Sequence, residues 1–353
     1  MLKGDSLIRV CGELINAATT RDAERFRRVL TDLPDAVRQA EPAQIADGLI
    51  ILMPLLAVIP LGIGCDLAQL AGAMAGRTDD PMIVLPTLVD RAASAMEQAA
   101  RFAALHSAEL DRPPDSGDPS LIEPTIARMA GAADRLNIHR PEIIELAEAW
   151  FAGSGWLQPL LYLAQRKDVR LAMPQRDRLT AAVAARADDI GNAQWLLGLL
   201  LVLDDEPLIA LHRETGRGFR LTISGVGDNS QLHTLLAAAL RGGRWRGKLP
   251  GKVPSAAVVA AATDGDPTPA EPIVGQFNLV DGFGKWIWND GRPYDIPFFY
   301  GVRVVVLDPP PYARSWTEGR LYPLMAPTVT VAESLPRDEA ARWLGLVAPP
   351  ATL

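Results

Sequence analysis

The stretch from residue 275 to residue 316 constrains the fold more than any other, because strand and turn signals are densest there. Residues 276–280 alternate between polar and apolar side chains, which is the period of a strand with one dry face. Asp281-Gly282 follows and is a strong signal for a tight hairpin turn. Residues 285–289 can then run back beside the first strand, so the pattern predicts an antiparallel hairpin.

A third strand is predicted over residues 302–307, which are almost entirely β-branched and carry a single charge. That composition is typical of a central strand buried on both faces, and three prolines end it. The predicted layout of 275–316 is therefore an antiparallel meander. Upstream, residues 207–213 and 219–224 flank a glycine-rich turn and predict a second hairpin, which a helix over residues 230–240 follows.

The N-terminal half is predicted to be helical, because apolar side chains recur there at spacings of three and four, as in residues 81–106. Gly153-Ser154-Gly155 lacks the spacing of a nucleophile elbow. It is interpreted as a turn between two helices, which cover residues 141–152 and 156–165.

Four prolines, each at the start of an apolar helical run, lie 32 to 38 residues apart. This is the length of a helical hairpin repeat, so a short solenoid is the alternative to an irregular bundle. The prolines are Pro54, Pro86, Pro124 and Pro159. Together these patterns predict an α+β fold. An all-helical domain over residues 1–200 is followed by a domain over residues 201–353 that has an antiparallel sheet and one or two helices.

The chain has 353 residues, 48% of them hydrophobic, and a net charge of −7. This hydrophobic content is enough to bury a core and argues against wholesale disorder. The acidic balance argues against a nucleic-acid partner, because binding to phosphates depends on basic side chains. The two cysteines, Cys11 and Cys65, cannot form the disulfide framework of a small secreted protein, so the expected location is the cytoplasm.

Residues 48–65 contain no charged side chain, which raises the question of a membrane helix. Pro54 and Pro60 interrupt the stretch, and its length is at the short limit for a span. Burial inside the helical domain is therefore the favoured interpretation, and a membrane partner is disfavoured.

Residues 225–230, with the sequence Gly-Val-Gly-Asp-Asn-Ser, lie between a predicted strand and a predicted helix. The phosphate-binding turn of a dinucleotide fold has this position. Gly225, Gly227 and Ser230 are the residues whose backbone would approach a phosphate. Serine replaces the third glycine, however, and the carboxylate of Asp228 would repel an anion. A tight turn with a helix cap is the favoured interpretation, and no cofactor is predicted.

The four histidines include no pair three or four residues apart, so no helical metal site is predicted. His212 and His233 lie near the glycine-rich turn in sequence. With Asp228 and Asn229 they are the candidates for an acid–base cluster. Ordinary structural histidines are the favoured alternative.

Residues 241–254 form a loop rich in glycine and proline, with five basic side chains around Trp245. The loop predicts either a contact with an acidic partner or an exposed segment without one, and the second is favoured. The basic residues are Arg241, Arg244, Arg246, Lys248 and Lys252.

The sequence carries no catalytic or cofactor signature. We therefore expect an intracellular binding or accessory protein, in which the helical half supplies a scaffold and the C-terminal half recognises a protein or small molecule of unknown identity. Two alternatives stay open. One is an enzyme with its active site around residues 224–233, and the other is a membrane-associated protein that uses residues 48–65.

Overall fold

The computed structural model describes most of the chain. The described ranges are residues 5–78, 80–110, 112–242, 249–269 and 271–351. The chain divides into two compact units, Met1–Leu200 and Leu201–Leu353. The first is helical and the second contains a mixed sheet with few helices, so the predicted α+β fold class is confirmed.

The first unit is built from helices whose apolar faces pack on one another. The described helices are α1 (Asp5–Thr19), α2 (Ala23–Gln39), α3 (Pro42–Val58), α4 (Leu61–Ala75), α5 (Leu85–Glu109), α6 (Ile122–Gly131), α7 (Ala133–Leu136), α8 (Arg140–Leu163), α9 (Lys167–Ala172), α10 (Arg176–Ala184) and α11 (Ala193–Leu200). Short 3-10 turns precede α5 and α6 at Pro81–Ile83 and Pro119–Leu121.

The uncharged stretch 48–65 is divided between α3 and α4, which are separated at Ile59 and Pro60. Pro60 has an extended backbone and directly precedes α4, because proline cannot supply the N–H that a continuing helix needs. Leu49 and Leu52 of α3 are fully buried. Within the described ranges, no helix is both long enough and apolar enough to span a bilayer.

The prediction of a turn at Gly153-Ser154-Gly155 was wrong, because these residues lie inside the continuous helix α8. Their function is close packing. A Cβ atom on Gly153 would lie 2.7 Å from Cε of Met96, and one on Gly155 would lie 3.0 Å from Cβ of Cys65. The glycines therefore allow α8 to approach α5 and α4.

The four prolines of the proposed repeat occupy different places in their helices. Pro86 is near the start of α5 and Pro124 is the third residue of α6, whereas Pro54 and Pro159 lie inside α3 and α8. Their spacing therefore does not mark equivalent positions of a structural repeat.

The second unit combines strands with three described helices. Its elements are β1 (Glu206–His212), β2 (Arg217–Ser224), α12 (Asn229–Leu240), α13 (Ala256–Ala262), β3 (Ile273–Val274), β4 (Asn278–Asp281), β5 (Phe298–Phe299), β6 (Val302–Asp308), β7 (Ser315–Trp316), β8 (Thr328–Ser334) and α14 (Arg337–Leu346). A 3-10 turn covers Pro293–Asp295. The main sheet has the order β4-β6-β1-β2-β8, with β5 also paired to β6, and β3 and β7 form a separate ribbon.

The predicted three-stranded meander was wrong in two respects. Residues 285–289 form no strand, and only an isolated bridge joins Val280 to Trp286. In addition, β6 pairs with β1 in parallel, from Leu208 opposite Arg303 to His212 opposite Leu307. The sheet is therefore mixed, although its other pairs are antiparallel.

Both faces of the central strands are covered, which explains the uniformly apolar sequence of β6. Leu208 of β1 and Val305 of β6 share one core with the apolar side of α12. Ile209 and Val304, one residue away, share the opposite core with α14. This alternation fixes the register and holds α12 against the sheet.

Candidate functional site

A cleft of about 490 Å³ opens beside α12 in the second unit, and we refer to it as the His233 cleft. Its walls come from α12 and the residue after it, from the segment leading into α13, and from the segment that contains β3. The lining residues are His233, Thr234, Ala237 and Arg241; Lys252, Val253, Pro254, Ser255 and Val258; and Glu271, Pro272, Ile273, Val274 and Gln276.

His233 lies at the inner wall of this cleft and is only 1% exposed. Its Nε2 atom accepts hydrogen bonds from the backbone N–H groups of Gln276, at 2.9 Å, and Phe277, at 3.0 Å. An imidazole nitrogen that accepts two hydrogen bonds carries no proton, so the ring proton of the neutral form is on Nδ1. Among the described residues, Nδ1 is buried and has no hydrogen-bond partner.

The environment of His233 keeps the ring neutral. Burial, followed by the positive charges of Arg314 and Arg241, lowers the pKa of His233 to about 3. The ring is therefore an N–H donor without a charge over the whole range in which most proteins are folded. Trp316 of β7 packs edge-on against it, with ring centroids 5.2 Å apart.

Two arginines complete the support of the segment that His233 holds. Arg241 donates from Nη2 to the carbonyl oxygen of Gln276 at 3.0 Å, and Arg314 donates from Nη2 to that of Phe277 at 2.6 Å. The guanidinium of Arg241 also lies 4.3 Å from the centre of the Phe277 ring. Both N–H groups and both carbonyl groups of the dipeptide 276–277 are thus bonded to side chains, which fixes one wall of the cleft.

These arginines are bonded to carbonyl groups, and the described hydrogen bonds give neither of them a carboxylate partner. Burial is the first cause that lowers the pKa of each guanidinium. The Nε atoms of both are buried and lack a partner within the described ranges, as does Nε1 of Trp316. Within this group of described residues, the buried atoms without a partner are four N–H donors, including Nδ1 of His233, and one acceptor, Oε1 of Gln276.

The geometry suits binding better than proton transfer. A general base needs a free basic nitrogen within reach of the substrate, but both lone-pair contacts of His233 Nε2 are made to backbone amides. His233, with its proton on Nδ1, and the guanidinium of Arg241 both belong to the lining of the cleft. Such groups bind and orient an acceptor.

Asp228 does not join His233 in an acid–base pair. Its side chain caps α12 and accepts a hydrogen bond from the N–H of Gln231 at 2.7 Å. It lines a second cleft of about 370 Å³, together with Asp290 and Glu318. Burial first, and then the negative charges of Glu318 and Asp290, raise the pKa of Asp228 to about 6.

Replacement of Asp228 by asparagine tests this shift. The raised pKa means that folding favours the protonated form, so the stabilisation from protonation is present below about pH 4 and is lost as the pH rises through about 6. Asparagine caps a helix as well as aspartate does. We expect Asp228→Asn to match the wild type at pH 4 and to exceed its free energy of unfolding by about 1–2 kcal/mol at pH 8.

Chemical denaturation at the two pH values measures the effect. Asp228→Ala is the matched variant, because it removes charge and cap together and should be destabilised by about 1 kcal/mol at pH 4. Equal stability of wild type and Asp228→Asn at pH 8 would contradict the assigned shift.

In the turn at residues 225–230, the amides of Gly225, Gly227 and Ser230 that were predicted to approach a phosphate are already bonded within the protein. The N–H of Gly225 donates to the carbonyl of Leu203, and that of Gly227 donates to Oε1 of Gln231. The N–H groups of Asn229 and Ser230 donate to the carbonyls of Gly291 and Asn289. Gly225 has φ of +66°, which explains the glycine as a turn residue. The favoured interpretation as a turn and helix cap agrees with this geometry.

The remaining predicted site residues serve local packing. His212 ends β1, where its Nδ1 lies 2.9 Å from the hydroxyl of Thr215. The amide nitrogen of Asn229 donates to the carbonyl of Trp288. His212 and His233 do approach the same aromatic ring, with centroid distances to Phe277 of 6.0 and 5.7 Å.

The basic loop of the sequence is only partly described. Arg244, Trp245, Arg246 and Lys248 lie outside the described residues. The flanking residues Arg241 and Lys252 both line the His233 cleft. Over the part of the chain that the structure describes, no group of three or more metal-ligating side chains is present.

Sequence reasoning missed Gln276 and Arg314 as members of the site. They lie 43 or more positions after His233, and local patterns do not reveal contacts at that separation. One local signal was available for Arg314, which is the single charged residue of the stretch 309–317, a segment rich in proline and aromatic residues.

No protein-family model matches this chain, and comparisons with curated proteins and with solved structures found no similar protein. The geometry of the site is therefore the basis for the function.

Proposed function

We propose that the protein is a binding protein whose second unit takes up a small molecule in the His233 cleft. The observation that carries the proposal is that His233, a residue of the cleft lining, holds a buried N–H at Nδ1 without a partner in the described part of the chain. A buried donor without an acceptor costs about 1–3 kcal/mol. A ligand that accepts its hydrogen bond removes that cost.

The size and walls of the cleft support the same proposal. Its volume of about 490 Å³ lies in the usual range for small-molecule sites, which combine apolar walls with a few fixed polar groups. Ile273 and Val258 are buried apolar residues in its wall. The expected cytoplasmic location and the scaffold role of the helical unit stay predictions.

An enzyme is the second candidate, and the raised pKa of Asp228 in the neighbouring cleft favours it. The capping hydrogen bond to Gln231 gives that carboxyl group a structural role. If the protein is an enzyme that uses Asp228, a turnover should be measurable, and Asp228→Asn should abolish it while retaining the fold and the helix cap. Loss of turnover in that variant would replace the binding proposal.

A thermal-shift screen of small molecules tests the binding proposal. A ligand held only by the native state stabilises it by about 2.7 kcal/mol at a hundred times its Kd, so a hit raises the melting temperature of the full chain. Val274 is 63% exposed and lines the cleft, and Val274→Trp should fill it. We expect this variant to fold and to bind the ligand at least tenfold more weakly, so that the shift in melting temperature is lost.

The matched control is Val331→Trp, since Val331 is another exposed strand valine, 36% accessible, on β8. It should bind as the wild type does. Hits whose affinity is the same in Val274→Trp would place the binding site elsewhere and refute the proposal.

A further inference from the structure

We infer that the ligand of the His233 cleft is a small amphipathic acid, with one carboxylate or phosphate group joined to an apolar body. The inference rests on the proposed function, because it assigns a chemical class to the same cleft. It follows from the donors and charges among the lining residues of the cleft and from the buried apolar residues of the same lining.

The polar lining residues offer donors. His233 directs its proton from Nδ1, because Nε2 is bonded to two amides. Arg241 lines the same cleft, and its Nε is buried without a partner among the described residues. Gln276 is bonded to His233 and Arg241 through its backbone, and Oε1 of its side chain is a buried acceptor without a partner among the described residues; a reversed amide would present an N–H donor instead. A ligand group with several acceptor oxygens fits two donors and an adaptable amide.

The charges favour an anion over a neutral acceptor. Arg241 and Lys252 line the cleft, and Arg314 is close enough to His233 to affect its protonation. Glu271 is the opposing charge in the lining, but it is exposed and accepts a hydrogen bond from the Ser255 hydroxyl. A cationic ligand would meet uncompensated guanidinium groups, whereas a carboxylate or phosphate would form charge-assisted hydrogen bonds with them.

The rest of the ligand must be apolar. Ala237, Val258 and Ile273 are buried residues of the lining, and Pro254 and Pro272 add apolar surface. Inorganic phosphate alone would leave this surface in contact with water. An acid with an alkyl or aryl body covers it and gains about 25 cal/mol for each Å² of apolar surface removed from water.

The test compares acids with neutral molecules of the same shape on the full chain. The probes are octanoate and 4-phenylbutyrate, each paired with its amide, and hexyl phosphate, paired with hexanol. Titration calorimetry gives the affinity for the wild type, Lys252→Gln and Arg241→Gln. Lys252 is exposed, so Lys252→Gln should retain the fold. It keeps the test valid if Arg241→Gln is destabilised by the loss of its hydrogen bonds to residues 250 and 276. Lys285→Gln is the control, because Lys285 is an exposed lysine outside the cleft.

We expect at least one acid to bind at least about tenfold more tightly than its neutral partner. Lys252→Gln should weaken binding of that acid about threefold, with little change for the neutral molecules. Arg241→Gln should weaken binding of the acid about tenfold or more, and Lys285→Gln should leave the affinities unchanged. If neutral partners bind as tightly as acids, and Val274→Trp still blocks them, the acid inference is wrong and the proposed function stands. If no probe of either kind binds, or if binding persists in Val274→Trp, the acid inference and the proposed binding function are both refuted.

Discussion

Lowering the pH from 7 to 4 is expected to reduce the free energy of unfolding of the second unit by roughly 3 kcal/mol through His233 alone. The pKa of His233 is lowered from 6.5 to about 3, first by burial and then by the charges of Arg314 and Arg241. The unfolded chain therefore takes up the proton before the folded chain does. The stabilisation is complete above pH 6.5 and is lost as the pH falls toward 3.

His233→Gln separates this titration from the structural role of the side chain. The amide oxygen of glutamine reaches about as far along the side chain as Nε2 of histidine, and it can accept from the N–H groups of Gln276 and Phe277 without titrating. At pH 7 the variant should be less stable than the wild type by about 1–2 kcal/mol, because its packing against Phe277 and Trp316 is poorer. At pH 4 the order should reverse.

Hydrogen exchange of the amides in α12 and β1 measures the effect, because these elements report the stability of the second unit. Exchange at pH 7 and pH 4, corrected for the intrinsic rates, gives the two opening free energies. Parallel pH dependence in wild type and His233→Gln would contradict the assigned protonation of His233. His139→Gln is the control, since His139 is an exposed histidine in the other unit and should leave the second unit unchanged.

Elements with a complete local signal were predictable from sequence. The hairpin of β1 and β2 was predicted from alternation around a glycine-rich turn, and α12 was predicted from its capping residue and apolar run. The central strand β6 was predicted because a strand buried on both faces has an almost continuous apolar sequence, and residues 302–307 are apolar at every position but one. Arg303 is that position, and it lies buried with hydrogen bonds to the carbonyls of Tyr294 and Ile296 and a salt bridge to Glu206.

Features that depend on distant partners were not predictable in the same way. The pairing of β6 with β1 joins residues about 95 positions apart, and strand propensity does not specify a neighbour or a direction. The Gly-Ser-Gly sequence in α8 is compatible with a turn or with close helix packing, and only the presence of α4 and α5 decides between them.

The site shows the same limit. His233 was among the sequence candidates, but its expected partner was Asp228, which lies five positions earlier. On a helix such a separation places the two side chains on different faces, and Asp228 in fact caps the helix and lines another cleft. The groups that meet His233 come from residues 276, 314 and 316 instead.

Replacing Gly72 with alanine is expected to destabilise the first unit by about 3 kcal/mol. Gly72 is buried in α4 where this helix contacts α8. A Cβ atom there would overlap Cβ of Pro159 and lie 3.0 Å from its Cα. Neither atom can move without displacing the backbone of α8, because the proline ring has no rotamer that withdraws it. The helices must separate, which opens the packed interface on both sides.

Gly12→Ala is the matched control, and its expected effect has the opposite sign. Gly12 is an exposed residue of α1, and a Cβ atom on it would meet nothing within 4 Å. Alanine at such a helical position stabilises by about 0.5–1 kcal/mol, because glycine loses more backbone entropy on folding. Thermal denaturation followed by circular dichroism at 222 nm, where helix dominates the signal, measures both variants. If both substitutions stabilise the first unit, the close contact between α4 and α8 is wrong, since helix propensity alone predicts that result.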